Sequence, residues 1–272
     1  MDELIILKLG GGLITDKSNL CTPKSEVILH LAEAISKLSK MGFRIIIVHG
    51  AGSYGHLKAK TWKLHEGFIE GHVPENNQYD IVDQNDAVGS VRNDMLKLNQ
   101  VVVEQLESFG LNTESHPPHI WAKETGVNFT GELSLLDYFD GTIAVTFGDV
   151  VNCTGRKKFG ILSGDDICYR LAIENDASHM IFAMGGAPGL LTSPPSNPDS
   201  KLIPIWTPNT KFEGIHHNSI DVTGGIHLKI ERATNISEIV SNVWIIDGEH
   251  PERIEEAVTC RNTIGTRILF KS

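Results

Sequence analysis

Lys8 lies inside the apolar run Leu4-Ile5-Ile6-Leu7-Lys8-Leu9, just ahead of Gly10. A buried ammonium group needs an anionic partner, either a core carboxylate or a phosphate. The glycines that follow favour phosphate. Lys17 stands close behind the same glycines, and Lys229 lies five residues after Gly224, one turn into a predicted helix. Three glycine-rich stretches follow predicted strands: Gly10-Gly11-Gly12, Gly50-Ala51-Gly52-Ser53-Tyr54-Gly55 and Thr223-Gly224-Gly225. Glycine lets backbone N–H groups approach an anion, and a helix that starts at the loop adds the positive end of its dipole. Any α/β protein needs tight turns, so one such stretch says little. Three of them, with lysines beside them, point to a site for several phosphates.

Asp165 and Asp166 follow Ser163-Gly164 at a predicted helix start. One of them is expected to cap that helix, and a carboxylate there would also orient Lys8 and Lys229. Among the twelve histidines, His56 stands apart because it closes the second glycine stretch, where it would bond a substrate oxyanion.

Other chemistries fit less well. The second glycine stretch matches G-x-G-x-x-G, but a dinucleotide site also needs an acid about twenty residues on, at the end of an apolar strand. Glu70 has the distance, yet Lys63-Leu64-His65-Glu66-Gly67-Phe68-Ile69-Glu70 is not such a strand. The stretch also follows the second predicted strand, whereas that fingerprint usually opens a domain. The Walker pattern is absent. Cys21, Cys153, Cys168 and Cys260 are widely spaced without a CxxC, which disfavours zinc and reads as free thiols in a reducing cytoplasm. A net charge of −10 disfavours nucleic acid or an anionic membrane as a partner. The longest apolar runs, such as Ile45-Ile46-Ile47-Val48, are too short to span a bilayer, and the acidic start Met1-Asp2-Glu3 is not that of a signal peptide.

The elements that must position these groups follow from periodicity. Leu4 to Leu9 and Arg44 to Val48 read as buried strands flanking a helix over Ser25 to Lys40, with Ser25 as its cap and Gly42 as its stop. Strand, helix and strand at this spacing predict a parallel sheet. Residues 61–85 lack periodicity and read as a mobile surface segment. Asp86 to Phe109 is a long amphipathic helix. Ile143 to Val151 is a strand broken at Gly148-Asp149, and Thr154 to Gly160 is a hairpin turn. Helices are expected from Ser163 through Ala172 and from Thr223 to Ala233, with strands at His179–Ala183, Val243–Ile246 and Arg267–Phe270. The proline-rich stretch 194–208 reads as an ordered loop or arm.

These motifs together resemble the amino acid kinase superfamily and, within it, the isopentenyl phosphate kinases. Lys8-Leu9-Gly10-Gly11-Gly12 through Lys17 is similar to that family's first nucleotide loop, and His49-Gly50-Ala51-Gly52-Ser53-Tyr54-Gly55-His56 to its substrate loop. Gly148-Asp149-Val150, Ser163-Gly164-Asp165-Asp166 and Asp221-Val222-Thr223-Gly224-Gly225 with Lys229 match later motifs in order. The resemblance implies an open αβα sandwich with a mainly parallel central sheet, usually a homodimer. It divides the single domain into a phosphate-acceptor lobe, about residues 1–150, and a nucleotide lobe, 151–272. It implies transfer from ATP, with Mg²⁺, to isopentenyl phosphate. Lys8, Lys17 and Lys229 would surround the moving phosphoryl group and Asp165 would organise them. His56 and the backbone of Gly50, Gly55 and Gly148 would hold the acceptor phosphate. Gly10, Gly11, Gly12, Ala51 and Gly225 would join Lys8 and Lys229 against ATP, and no side chain is assigned to metal. An acceptor phosphate is already a nucleophile, so such a site needs positioning and charge rather than a strong base. The isoprenoid tail would need an apolar pocket, for which Val88 and Val91 are candidates, with extra room at Ala87 and Gly89.

Two departures stand out. The family usually carries an acidic Thr-Asp-Val-Asp-Gly-Val run where this chain has Ala183-Met184-Gly185-Gly186-Ala187-Pro188-Gly189-Leu190, and Gly12 replaces a common Ser. Two rival readings are a kinase for another phosphate or phosphonate, of the fosfomycin-resistance type, and a non-catalytic nucleotide-binding regulator. The three lysines and Asp165 argue against the regulator.

Overall fold

Apolar side chains on both faces of one strand place it in mid-sheet, and β1 (Leu4–Leu9) is fully buried in this way. The computed structural model describes residues 3–16, 18–77, 79–210 and 225–270. After β1 come α1 (Gly11–Ile14), α2 (Ser25–Lys40), β2 (Arg44–His49), α3 (Gly52–Thr61), α4 (Gln84–Ser108), β3 (Thr113–Ser115) and α5 (Pro118–Trp121). Then follow β4 (Ile143–Phe147), β5 (Asp149–Asn152), β6 (Phe159–Leu162), α6 (Gly164–Glu174) and β7 (His179–Met184). The chain continues through β8 (Ile205–Trp206), α7 (Gly225–Ile236), β9 (Asn242–Asp247), α8 (Glu252–Thr259) and β10 (Gly265–Ile268).

Eight strands form one sheet in the order β3-β4-β2-β1-β7-β9-β10-β8. It is parallel from β3 to β9, and β10 runs antiparallel to β9. Side chains alternate across a strand, so Ile5, Leu7 and Leu9 join one core with Leu31 and Ile35 of α2 and Leu98 of α4. Leu4 and Ile6 join a second core with Ile167 and Leu171 of α6 and Ile230 of α7. This is the expected αβα sandwich. The same alternation puts Lys8 on the face of α6 and α7. β5 and β6 form an antiparallel hairpin outside the main sheet.

Several local expectations change. Residues 61–85 are not a surface segment throughout: Trp62 and Leu64 are fully buried. The Gln84 amide donates to the carbonyls of Trp62 (2.8 Å) and Gly67 (3.2 Å) and accepts from Ile69 N–H (2.7 Å). Lack of periodicity marked an irregular backbone there, not an exposed one. The long helix starts at Gln84 because Asp83 caps it, accepting from Asn85 N–H and Asp86 N–H. Ser25 is the first helical residue of α2, not its cap, while Gly42, at φ +89°, ends that helix as expected. The second glycine stretch is largely helical, with Gly52 opening α3. The proline-rich stretch contributes β8, and the last strand is Gly265–Ile268.

Candidate active site

The first two glycine stretches end β1 and β2, which are neighbours in the sheet, so their loops must lie side by side. A Cβ on Gly11 would fall 2.2 Å from the Gly52 nitrogen, so only glycine allows the two backbones this contact. The loops are tied to the sheet by Gly10 N–H to the Ala183 carbonyl and Gly50 N–H to the Leu9 carbonyl, each 2.8 Å.

Ser163, not either aspartate, caps α6, its hydroxyl accepting from Asp165 N–H at 3.2 Å. Asp165 and Asp166 are thereby held in the first turn, both buried, where the helix dipole favours carboxylates. Asp165 Oδ1 accepts from Lys8 Nζ at 2.5 Å and from Lys229 Nζ at 2.9 Å. Asp166 pairs instead with Arg232 Nε at 2.7 Å, so one aspartate serves the lysines and its neighbour ties α6 to α7. Burial alone would raise the Asp165 carboxyl, but attraction from Lys229 and Lys8 outweighs it and holds the group at about 2. Burial also works against both lysines. In Lys8 the Asp165 partner overcomes it and the pKa rises, whereas in Lys229 burial prevails and the pKa falls. Two ammonium groups share one carboxylate oxygen, so the cluster has positive charge to spare for an anion.

This cluster opens on a cavity of about 450 Å³. The first residues of α1, α3, α6 and α7 all line it, which brings four helix N-termini to one space. The structure brings together Lys8, Gly10, Gly11, Gly12, Gly50, Ala51, Gly55, His56, Gly148, Asp165, Gly225 and Lys229 on its wall. Lys17, Thr223 and Gly224 lie outside the described residues.

One end of the cavity is apolar, formed by Leu57 and Ala59 of α3, Val91 and Met95 of α4, Val150 of β5 and Ile161 of β6. Val91 was expected there. Val88 is instead buried in the core, and neither Ala87 nor Gly89 reaches the cavity. On a helix, Met95 one turn beyond Val91 shares its face, a spacing that could have found it. A Cβ on Gly55 would lie 2.8 Å from the Ala51 Cβ and 3.4 Å from Met95 Sδ, so glycine there keeps space between α3 and α4. The hairpin residues Val150 and Ile161 carried no sequence signal for the tail pocket, since nothing local says that β5 and β6 leave the sheet. Arg92 of α4 fastens them, donating from Nε to the Val150 carbonyl at 2.7 Å. The other end carries Met184, Gly185, Gly186, Ala187, Pro195 and Ile226, an acid-free wall where the family run is acidic.

Asp149 also touches the cavity, but its carboxylate accepts from His119 Nδ1 at 2.6 Å and Val150 N–H at 2.8 Å. Among the described residues, no group of three or more His, Cys, Asp or Glu side chains is placed to hold a metal ion. The wall therefore suits a polyanion held by ammonium groups and backbone N–H groups, next to an apolar tail.

Comparison with known proteins agrees with this geometry. Residues 3–247 match the model of the Amino acid kinase family. The isopentenyl phosphate kinase of Thermoplasma acidophilum is 30% identical over 269 residues, spanning 97% of this chain and all of that protein. That of Methanothermobacter thermautotrophicus is 28% identical and spans 98% of this chain and all of its own. The crystal structure of the T. acidophilum isopentenyl phosphate kinase product complex superposes with a TM-score of 0.76 at 28% identity, over 97% of this chain and 99% of that one. From the glycine loops of its first strands to the end of β9, the chain belongs to the amino acid kinase family.

Proposed function

We propose that the chain transfers the γ-phosphoryl group of ATP to isopentenyl phosphate, giving isopentenyl diphosphate and ADP. The observation that carries this reading is a surplus-cation cluster and an apolar end in one cavity. The cluster suits phosphates, and the apolar end suits a short hydrocarbon tail better than a small polar phosphonate. The relatives named isopentenyl phosphate kinase support it over the full chain length.

In this reading an oxygen of the acceptor phosphate attacks the γ-phosphorus. The bond to the oxygen bridging the β- and γ-phosphorus breaks, and that oxygen leaves with ADP. Lys8 and Lys229 meet the charge on the moving group, and Asp165 holds both lysines in place. His56 and the backbone of Gly50, Gly55 and Gly148 line the acceptor's side of the cavity, with residues 1–150 as the acceptor lobe and residues 151–272 as the nucleotide lobe. The acceptor phosphate is ionised at neutral pH, so no residue need act as a base. Catalysis comes from alignment and from cations preorganised where charge develops. Both carboxylates in the cavity wall are engaged by cations or N–H groups, so Mg²⁺ would enter on the phosphate oxygens of the nucleotide with water completing its shell. The same reading carries a homodimer, and four free cysteines support a reducing cytoplasm.

The test is ADP release from ATP in the presence of isopentenyl phosphate, with product identified by mass. Turnover on a phosphonate with none on isopentenyl phosphate would transfer the assignment to a resistance-type kinase. Nucleotide binding without turnover on either would leave a regulator.

A further inference from the structure

His49 ends β2, is fully buried, and stands directly behind the second glycine loop. Its ring stacks on Phe147 of β4 with centroids 4.9 Å apart. Nδ1 lies 3.2 Å from the Gly50 carbonyl oxygen, and Nε2 lies 3.2 Å from one end of the Asn99 amide. The other end of that amide is 2.5 Å from Ser115 Oγ of β3. Burial pushes the imidazole down to about 4, against the opposing pull of Gly50, Asn99 and Asp149, so the ring is neutral and has one N–H. Of the groups facing it, Gly50, Phe147 and Asn99 carry no charge, and Asp149 is the charged neighbour. A carbonyl can only accept, so Nδ1 must carry the proton. Nε2 then has only a lone pair, which requires the Asn99 NH₂ to face it and the Asn99 oxygen to accept from the Ser115 hydroxyl.

Across a trans peptide, the carbonyl of one residue and the N–H of the next point in opposite directions. A Gly50 carbonyl drawn inward to His49 therefore turns the Ala51 N–H outward, where Ala51 lines the cavity. No hydrogen bond of the described backbone uses that N–H. We propose that His49, as the Nδ1–H tautomer held by Asn99 and Ser115, is a positioning residue that aims the Ala51 N–H at phosphate. The phosphate is that of the transfer reaction proposed above, and the role extends that reading from the cavity wall to the layer behind it.

Two measurements test this. In protein labelled with ¹⁵N-histidine, long-range ¹H–¹⁵N spectra should show His49 protonated at Nδ1 and bare at Nε2 from pH 8 to pH 5. The Nε2–H tautomer, or titration near the ordinary histidine value, would overturn the proposal. This arm needs no turnover, so it stands apart from the identity of the acceptor. The second arm compares His49→Asn, which keeps a donor near the Nδ1 position, with His49→Gln and His49→Phe, which do not. Misaiming one preorganised N–H is expected to lower kcat/KM with isopentenyl phosphate on the order of ten- to a hundredfold in the Gln and Phe variants. The Asn variant should recover most of that. Stability should follow the opposite order, since Asn fills the buried site least. Activity that instead follows stability across the three variants would reduce His49 to packing and refute the role.

Discussion

Asp165→Asn removes the one carboxylate shared by Lys8 and Lys229 and leaves the volume nearly unchanged. Lys8 and Asp165 are only 6% and 5% exposed, so solvent does little to replace the lost partner. Removing one member of a buried ion pair costs about 3–5 kcal/mol, a large part of the total stability of a domain. Protonation is a milder perturbation, because a neutral carboxyl still bonds the lysines. The gap between a folded pKa of about 2 and the usual 3.8 is worth about 2 kcal/mol. Since the folded value is depressed, that contribution is complete above pH 3.8 and is lost as pH falls through about 2. The variant should therefore unfold at clearly lower urea at pH 7 without ligand. Its deficit should shrink at high pH, as the lysines shed the protons that the carboxylate no longer supports. ATP should restore more stability to the variant than to the parent, because phosphate supplies the missing negative charge. Urea melts at pH 7 and pH 10, with and without ATP, read all three effects. A loss under about 1 kcal/mol at pH 7, or equal ATP stabilisation of both proteins, would refute the shared-carboxylate argument.

His56→Ala should lower kcat/KM for isopentenyl phosphate ten- to a hundredfold, the loss of about 1.5–3 kcal/mol of charge-assisted bonding, while leaving ATP affinity close to the parent's. Unchanged steady-state kinetics would remove His56 from the acceptor site. Lys8→Ala and Lys229→Ala should each cut kcat far more than they weaken nucleotide binding, because both lysines meet charge that moves during transfer. Single-turnover rates beside equilibrium ATP titrations separate the two, and full activity in either variant contradicts the role. The apolar end should accept five-carbon isopentenyl and dimethylallyl phosphates and reject farnesyl phosphate. A fitting CH₂ gains about 0.8 kcal/mol, whereas forcing packed side chains apart costs about 1–3 kcal/mol. Met95→Ala should shift the ratio of kcat/KM towards longer chains. Equal values for five- and fifteen-carbon phosphates in the parent would show that the pocket is open.

The reach of the sequence is clearest at β1 and the two glycine stretches. An apolar run interrupted by one lysine fixes a buried strand and the face its lysine must occupy, since side-chain alternation is a local property. That constraint acts within a few residues, so it survives in the sequence whatever the rest of the chain does. Glycine at 11 and 50 is legible as a residue type, but the need it meets is the close approach of two loops from distant parts of the chain. The Lys8, Asp165 and Lys229 cluster was proposed from types and order, and its shared carboxylate oxygen is a result of the fold. Lys8 and Asp165 are 157 positions apart and meet only because α6 packs under β1.

What tertiary structure alone decided was mostly burial and contact. Trp62 and Leu64 lie in a stretch with no periodic pattern, and only the Gln84 clamp and the packing of α3 on α4 make them core. The apolar end of the cavity is assembled from α3, α4 and a hairpin that leaves the sheet, so its depth exists in no single segment. Val88 and Val91 were equal candidates from the sequence, and in the fold both join the core while only Val91 also lines the cavity. His49 has the same history: as a residue type it ends a strand, and Asn99, Phe147 and the Gly50 carbonyl give its two ring nitrogens different tasks. The chain's residue types state which interactions are available. Which of them form depends on neighbours brought from far along the chain, because burial and hydrogen-bond pairing are properties of the packed whole.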